Sequence, residues 1–221
     1  MPGKIKIAVL VSGKGTNLQA IIKAEKKGKL APAGVELVIS DKPDAPALIR
    51  AKNAGIRTVV VEKTLGLPRE EFDELIAKVI REGKIDLIVL AGYMRVLGKR
   101  FIGEFYGKII NIHPALLPSF KGVSGVSDAF EYGVKVTGIT VHFVNEGVDE
   151  GPIIAQSVVE IAETDTQSSL EEKIHRKEHE LYPEVIRLFA KGKLKIEGRK
   201  VKIDGKKRNP GIIKSKNLRR I

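Results

Sequence analysis

Lys4-Ile5-Lys6-Ile7-Ala8-Val9-Leu10-Val11-Ser12-Gly13-Lys14-Gly15-Thr16-Asn17-Leu18-Gln19-Ala20-Ile21-Ile22 is the stretch on which the fold turns. Lys4 to Val11 is a short run rich in β-branched residues and reads as a buried strand. Two glycines break the run, and Leu18 to Ile22 opens a helix. A strand, a Gly-rich loop and a helix N-terminus present backbone N–H groups and the positive end of a helix dipole, which suits an anion. The loop is neither a Walker A sequence nor G-x-G-x-x-G, because a lysine separates its glycines and the third glycine is missing. It fits an anion site, and it also fits a plain tight turn between strand and helix.

The same alternation continues downstream. Val35–Ser40, Arg57–Val61, Asp86–Leu90 and Ile109–Ile112 read as strands, separated by helices over Ala47–Asn53, Arg69–Arg81 and Lys99–Phe105. Continuous apolar strands alternating with helices predict an α/β fold with a doubly wound, mostly parallel sheet and a Rossmann-like N-terminal half. The second half reads differently. A helix ends near Tyr132, a long strand covers Val134–Val144, and Ile153–Glu160 pairs with it antiparallel. A long helix runs from Ser168 to Ala190, with Asp165 or Thr166 near its cap, and Leu194–Ile196 and Val201–Ile203 form a small hairpin. One domain is therefore expected over 1–204, in halves 1–105 and 106–204, with 205–221 as a flexible basic tail.

Charge and composition narrow the class. The formal charge is +12, but Lys191 to Ile221 holds 13 Lys or Arg against 2 acidic residues, so +11 of it sits in that terminal stretch. A solvated tail is expected rather than a nucleic-acid-binding domain, because no aromatics interleave its charges. There are no cysteines, which removes disulfides, thiolate metal sites and a Cys nucleophile and fits a cytoplasmic protein. No apolar run reaches membrane-spanning length, and the N-terminus does not read as a signal peptide. No cluster has metal-ligand spacing; His175 and His179 lack a third ligand.

In such sheets ligands bind beyond the carboxyl ends of the strands. There the chain carries Asn111-Ile112-His113-Pro114, and period-2 alternation puts Asn111 and His113 on the same side. A carboxamide can donate to an oxygen gaining negative charge, and an imidazole can carry a proton near neutral pH. Asp149, in an acidic Gly-bounded loop, is the carboxylate placed to keep His113 cationic. His142 reads as a satisfied strand histidine. With no Ser or Cys nucleophile in the set, one substrate has to attack the other, so the residues point to direct group transfer through a tetrahedral intermediate.

Ser12-Gly13-Lys14-Gly15-Thr16-Asn17, Ala91-Gly92-Tyr93-Met94-Arg95-Val96-Leu97, Asn111-Ile112-His113-Pro114-Ala115-Leu116-Leu117-Pro118-Ser119 and His142-Phe143-Val144-Asn145-Glu146-Gly147-Val148-Asp149-Glu150-Gly151-Pro152 together resemble the phosphoribosylglycinamide formyltransferases, a family of folate-dependent enzymes. Lys177-Glu178-His179-Glu180-Leu181-Tyr182-Pro183 points to the same family. The resemblance implies transfer of the formyl group of 10-formyltetrahydrofolate, a co-substrate, to the amine of N1-(5-phosphoribosyl)glycinamide, in purine biosynthesis and without a metal. It implies Asn111, His113 and Asp149 as the catalytic trio, with His113 as proton donor. It implies Gly15, Thr16, Asn17, His175 and Glu178 as nucleotide contacts, with 1–105 the nucleotide-binding half and 106–204 the catalytic and folate half. Relatives commonly carry a longer amide or Lys at the position of His175. The folate site is implied at Arg69, Met94, Arg95, Val96, Leu97, Asn111, Asn145, Glu146, Gly147, Val148 and Asp149, and Leu117-Pro118 matches the family's cis-proline turn. Many relatives carry two His where this chain has Ser124 and Val126. The alternative is a formyltetrahydrofolate deformylase, which shares the trio but usually carries an extra N-terminal domain. A monomer or homodimer with no membrane or nucleic-acid partner is expected.

Overall fold

The computed structural model describes residues 4–62 and 66–205. Its most deeply enclosed strand is β1 (Ile5–Val11), in which Ile7 to Val11 are wholly buried. Alternate residues serve two cores: Ile7, Val9 and Val11 face one, Ala8 and Leu10 the other. That two-sided burial is why the strand is continuously apolar.

β2 (Ala33–Ser40) and β3 (Arg57–Val60) lie on one side of β1, and β4 (Leu87–Leu90) and β5 (Ile109–His113) on the other, all parallel. β6 (Val136–Phe143) pairs antiparallel to β5, and β7 (Ile153–Glu160) antiparallel to β6. The hairpin of β8 (Leu194–Glu197) and β9 (Lys200–Ile203) closes the edge through β9 beside β7, so the order is β3-β2-β1-β4-β5-β6-β7-β9-β8. The mixed, helix-flanked sheet agrees with the architecture read from the sequence. Several boundaries move by one or two residues: β2 begins earlier, at Ala33, β5 runs one residue further, through His113, the helix from Arg69 extends to Gly83, and β6 is shorter than expected, spanning Val136–Phe143.

α1 (Thr16–Lys26), α2 (Pro46–Asn53) and α6 (Gln167–Ala190) cover one face through Leu18, Ile21, Leu48, Ile174 and Val185. α3 (Arg69–Gly83) and α4 (Lys99–Glu104) cover the other through Phe72, Ile76, Ile80 and Phe101. α5 (Gly125–Tyr132) follows the turn after β5. Thr166 caps α6: its hydroxyl accepts from the Ser169 N–H at 3.2 Å, and its own N–H donates to Ser169 Oγ at 3.0 Å.

The strand order reverses between β1 and β4, so the loops after them splay apart and leave a crevice. Gly15 at the head of α1 has φ +70°, and a Cβ there would lie 2.6 Å from the Ala47 Cβ. Only glycine satisfies both demands, which seats the loop against α2. Wholly buried Tyr182 of α6 places its hydroxyl 2.8 Å from the Leu90 carbonyl oxygen and 3.1 Å from that of Ile110. The long helix is thereby tied to β4 and β5 just below the crevice.

Among the described residues no helix is long and apolar enough to cross a membrane. The tail expected over 205–221 lies outside the described residues except for Gly205. Tyr182→Phe keeps the packing volume but removes the buried donor, and is expected to lower the unfolding free energy by about 1–3 kcal/mol in a denaturant titration.

Candidate active site

The β5 pleat carries Asn111 and His113 to one side, and both line the crevice. The antiparallel register of β6 sets His142 directly opposite Asn111. The turn after β6 then returns Asp149 over the pair, with a backbone φ of +54°. Asp149 Oδ2 is 3.3 Å from His113 Nδ1, and Oδ1 is 3.5 Å from His142 Nε2 and 3.4 Å from Asn111 Nδ2. The Gly122 N–H donates to Oδ2 at 2.9 Å. One carboxylate therefore joins three polar side chains from two neighbouring strands.

Carbonyl partners assign the ring protons, because a carbonyl only accepts. His142 Nδ1 lies 2.8 Å from the Phe143 oxygen, so Nδ1 carries hydrogen, and Nε2 stands between Asn111 Nδ2 at 3.3 Å and Asp149 Oδ1 at 3.5 Å. His113 Nε2 lies 2.7 Å from the Phe120 oxygen and donates to it. Phe120 sits in the turn that follows the cis Leu117–Pro118 bond, the geometry expected there from the sequence.

The expectation of a cationic His113 is corrected by burial. The ring is 3 % exposed, and desolvation pulls its pKa below the ordinary value; Asp149 and the Phe120 carbonyl oppose that shift without overcoming it. Burial also works against ionised Asp149, but hydrogen bonds from His142 and the Gly122 N–H, with the field of His113, bring its carboxyl below the usual range.

At the other end of the crevice, Asn17 Nδ2 donates to Glu178 Oε2 at 3.0 Å. Burial drives the Glu178 carboxyl up to about 7, and the Asn17 bond only moderates that. His175 and His179 stack one turn apart on α6, their ring centroids 6.2 Å from each other. The wall between the two ends is braced from behind. Buried Asp73 accepts from the Gly98 N–H at 2.6 Å, and the Arg95 guanidinium lies 4.2 Å from the centre of the Phe72 ring.

These groups line one cavity of about 590 Å³. It brings together Gly15, Thr16, Asn17, His175 and Glu178 with Met94, Arg95, Val96 and Leu97, with Asn111 and His113, and with Asn145, Glu146, Gly147, Val148 and Asp149. Arg69 is the exception. It heads α3 behind the wall, with its Cδ 3.7 Å from where a Cβ on Gly98 would stand. His142 is the residue that strand periodicity alone missed; its signal is the antiparallel pairing opposite Asn111. Met94, Val96 and Val148 are exposed apolar residues at the mouth. Among the described residues no three His, Cys, Asp or Glu are grouped to hold a metal ion.

The crevice at the reversal point of a mixed sheet thus holds an amide, two imidazoles and a carboxylate that lies within 3.5 Å of the other three, an arrangement suited to acid–base and oxyanion chemistry. The chain belongs to the formyl transferase family, whose model matches residues 5–186, and within it groups with the phosphoribosylglycinamide formyltransferases. The enzyme of that name from Bacillus subtilis (strain 168) is 44% identical over 182 residues, 82% of this chain and 93% of the relative. The glycinamide ribonucleotide transformylase 1 structure from Symbiobacterium toebii superposes with a TM-score of 0.89 at 47% identity, covering 92% of this chain and 95% of that one. The trifunctional purine biosynthetic protein adenosine-3 of Gallus gallus is 44% identical over 87% of this chain, which spans only 19% of that relative. A formyltetrahydrofolate deformylase from Pseudomonas syringae shares the fold, with a TM-score of 0.85, at 24% identity over 91% of this chain and 66% of its own.

Glu178 binds its proton more tightly folded than unfolded. Between its ordinary 4.5 and about 7 the folded state holds more protons, so its contribution to stability falls as pH rises through that window. Glu178→Gln cannot ionise yet can still accept from Asn17. It is expected to match wild type in chemical denaturation at pH 5 and to exceed it at pH 8.

Proposed function

We propose that this chain transfers the formyl group of 10-formyltetrahydrofolate to the amine of N1-(5-phosphoribosyl)glycinamide, releasing formylglycinamide ribonucleotide and tetrahydrofolate. The observation that carries the reading is the single Asp149 carboxylate shared by His113, His142 and Asn111 on the floor of the cavity that also holds the Gly15–Asn17 loop.

The head of α1 at Gly15, Thr16 and Asn17 takes the phosphate, and Glu178 and His175 meet the ribose side. The folate lies along Met94 to Leu97 and Asn145 to Asp149, with its formyl oxygen toward Asn111. Arg69 serves the folate only from beyond the cavity rim. Within one continuous sheet, 1–105 supplies the nucleotide end and 106–204 the catalytic end.

The amine attacks the formyl carbon and makes the new C–N bond. The Asn111 amide exchanges one of its protein acceptors for the oxygen that becomes negative. His113 takes a proton from the attacking nitrogen, and Asp149 stabilises the resulting imidazolium across the 3.3 Å gap. The tetrahedral centre collapses, the bond to folate N10 breaks, and the same proton goes to N10. Protons balance, and no outside base is needed.

Action in the cytoplasm, as a monomer or homodimer, completes the reading. The hydrolytic alternative differs in product. Formyl-folate incubated with and without the ribonucleotide is expected to give formylated ribonucleotide; free formate formed equally in both would identify a deformylase instead. His113→Ala and Asp149→Asn are each expected to lower kcat by about a hundredfold or more, with KM for the ribonucleotide changed less than about threefold. Steady-state assays showing wild-type kcat in either variant would remove the trio from the chemistry.

A further inference from the structure

Asp149 is one of three non-glycine residues described with positive φ, at +54°. Aspartate keeps such a conformation when its surroundings over-determine it. The residue that gathers those surroundings is its neighbour, Glu150. The Glu150 carbonyl oxygen accepts from Asn145 Nδ2 at 3.3 Å and from Arg199 Nη1 at 3.3 Å. Its side chain folds over Gly147, with Oε2 2.5 Å from where a Cβ on that glycine would stand. Its Oε1 pairs with Lys121 Nζ at 2.8 Å, and that ammonium holds the Glu150 carboxyl below the usual range. On the far side, a Cβ on Gly151 would lie 1.6 Å from the Phe143 oxygen, so the backbone there is pressed onto the end of β6.

The two anchors come from different places. Lys121 belongs to the turn whose Phe120 carbonyl faces His113 and whose Gly122 N–H donates to Asp149. Arg199 is at the tip of the β8–β9 hairpin, outside the residues 5–186 that the family model matches. The hairpin thus reaches the loop that carries Asp149.

We infer that Glu150 is a positioning residue for the transfer, clamped by Lys121 and Arg199 so that the Asp149 carboxylate stays between His113 and His142. This rests on the assignment of Asp149 to the chemistry. Glu150 touches no reacting atom; it sets where its neighbour stands. Both the Lys121 and Glu150 side chains are substantially solvent-exposed, so each anchor alone has a modest effect.

The test uses the full chain with Lys121→Ala, Glu150→Ala, Arg199→Ala and the charge swap K121E/E150K. Each single change is expected to lower kcat/KM for formyl-folate by about two- to fivefold, the scale of one exposed ion pair. KM for the ribonucleotide and the thermal midpoint are expected to stay at wild-type values, and the swap to restore most of the loss. A second readout needs no turnover: NMR titration of the His113 ring in ligand-free protein. Its midpoint is expected to fall in Lys121→Ala and Glu150→Ala as Asp149 loosens, because Asp149 is the charge that raises it, and to recover in the swap. Wild-type titration in both single variants, or equal activity loss in the swap and the singles, would overturn the clamp. A wild-type chain that makes no formylated ribonucleotide would instead sink the functional reading and leave the titration to judge the clamp.

Discussion

A carboxylate that three partners share is the interaction on which the site depends. Asp149 stands within 3.5 Å of two imidazoles and an amide, and none of those three is adjacent to it in sequence. Its own burial disfavours the charge, so the charge survives only because His142, the Gly122 N–H and His113 compensate it together. Removing any one leaves a buried group less satisfied, and the arrangement is cooperative for that reason.

The sheet makes that meeting possible where its pairing first turns antiparallel, between β5 and β6. Up to β5 every strand is parallel, and the crevice opens where the order reverses, with a helix N-terminus at its edge. From β5 to β6 the pairing turns antiparallel, which lays His142 across from Asn111 and sends the next turn back over both. A parallel partner at that position would have carried its following loop on to a helix instead. The two halves of the molecule therefore contribute unlike tools to one cavity. One brings the head of a helix to it, and the other the linked Asn111, His113, His142 and Asp149 side chains.

Burial tunes these groups as much as charge does. Asp149 favours a cationic His113, yet the near-complete enclosure of the ring pulls its pKa the other way, below the ordinary value. Glu178 is buried as well, with one amide for company, and its proton is released only near neutrality. A site built this way changes its protonation when substrates replace or exclude its water, since the same groups respond to desolvation and to incoming charge alike.

Much of this was legible in the order of residues. Apolar strands alternating with helices, the Gly13–Asn17 loop and the N-x-H-P strand end follow from local rules, because pleat, turn and helix periodicities act over a few residues. The pleat alone put Asn111 and His113 on one side, and the motifs in sequence led to the family. Three things were decided only in the folded chain. His142 entered the site through strand register, a relation between residues 31 positions apart. Arg69 fell behind a wall because α3 packs outside the loop that lines the cavity. The His113 pKa is pulled down rather than up because desolvation is a sum over every neighbour, and neighbours brought in from distant strands and turns are what the linear order of a chain does not state.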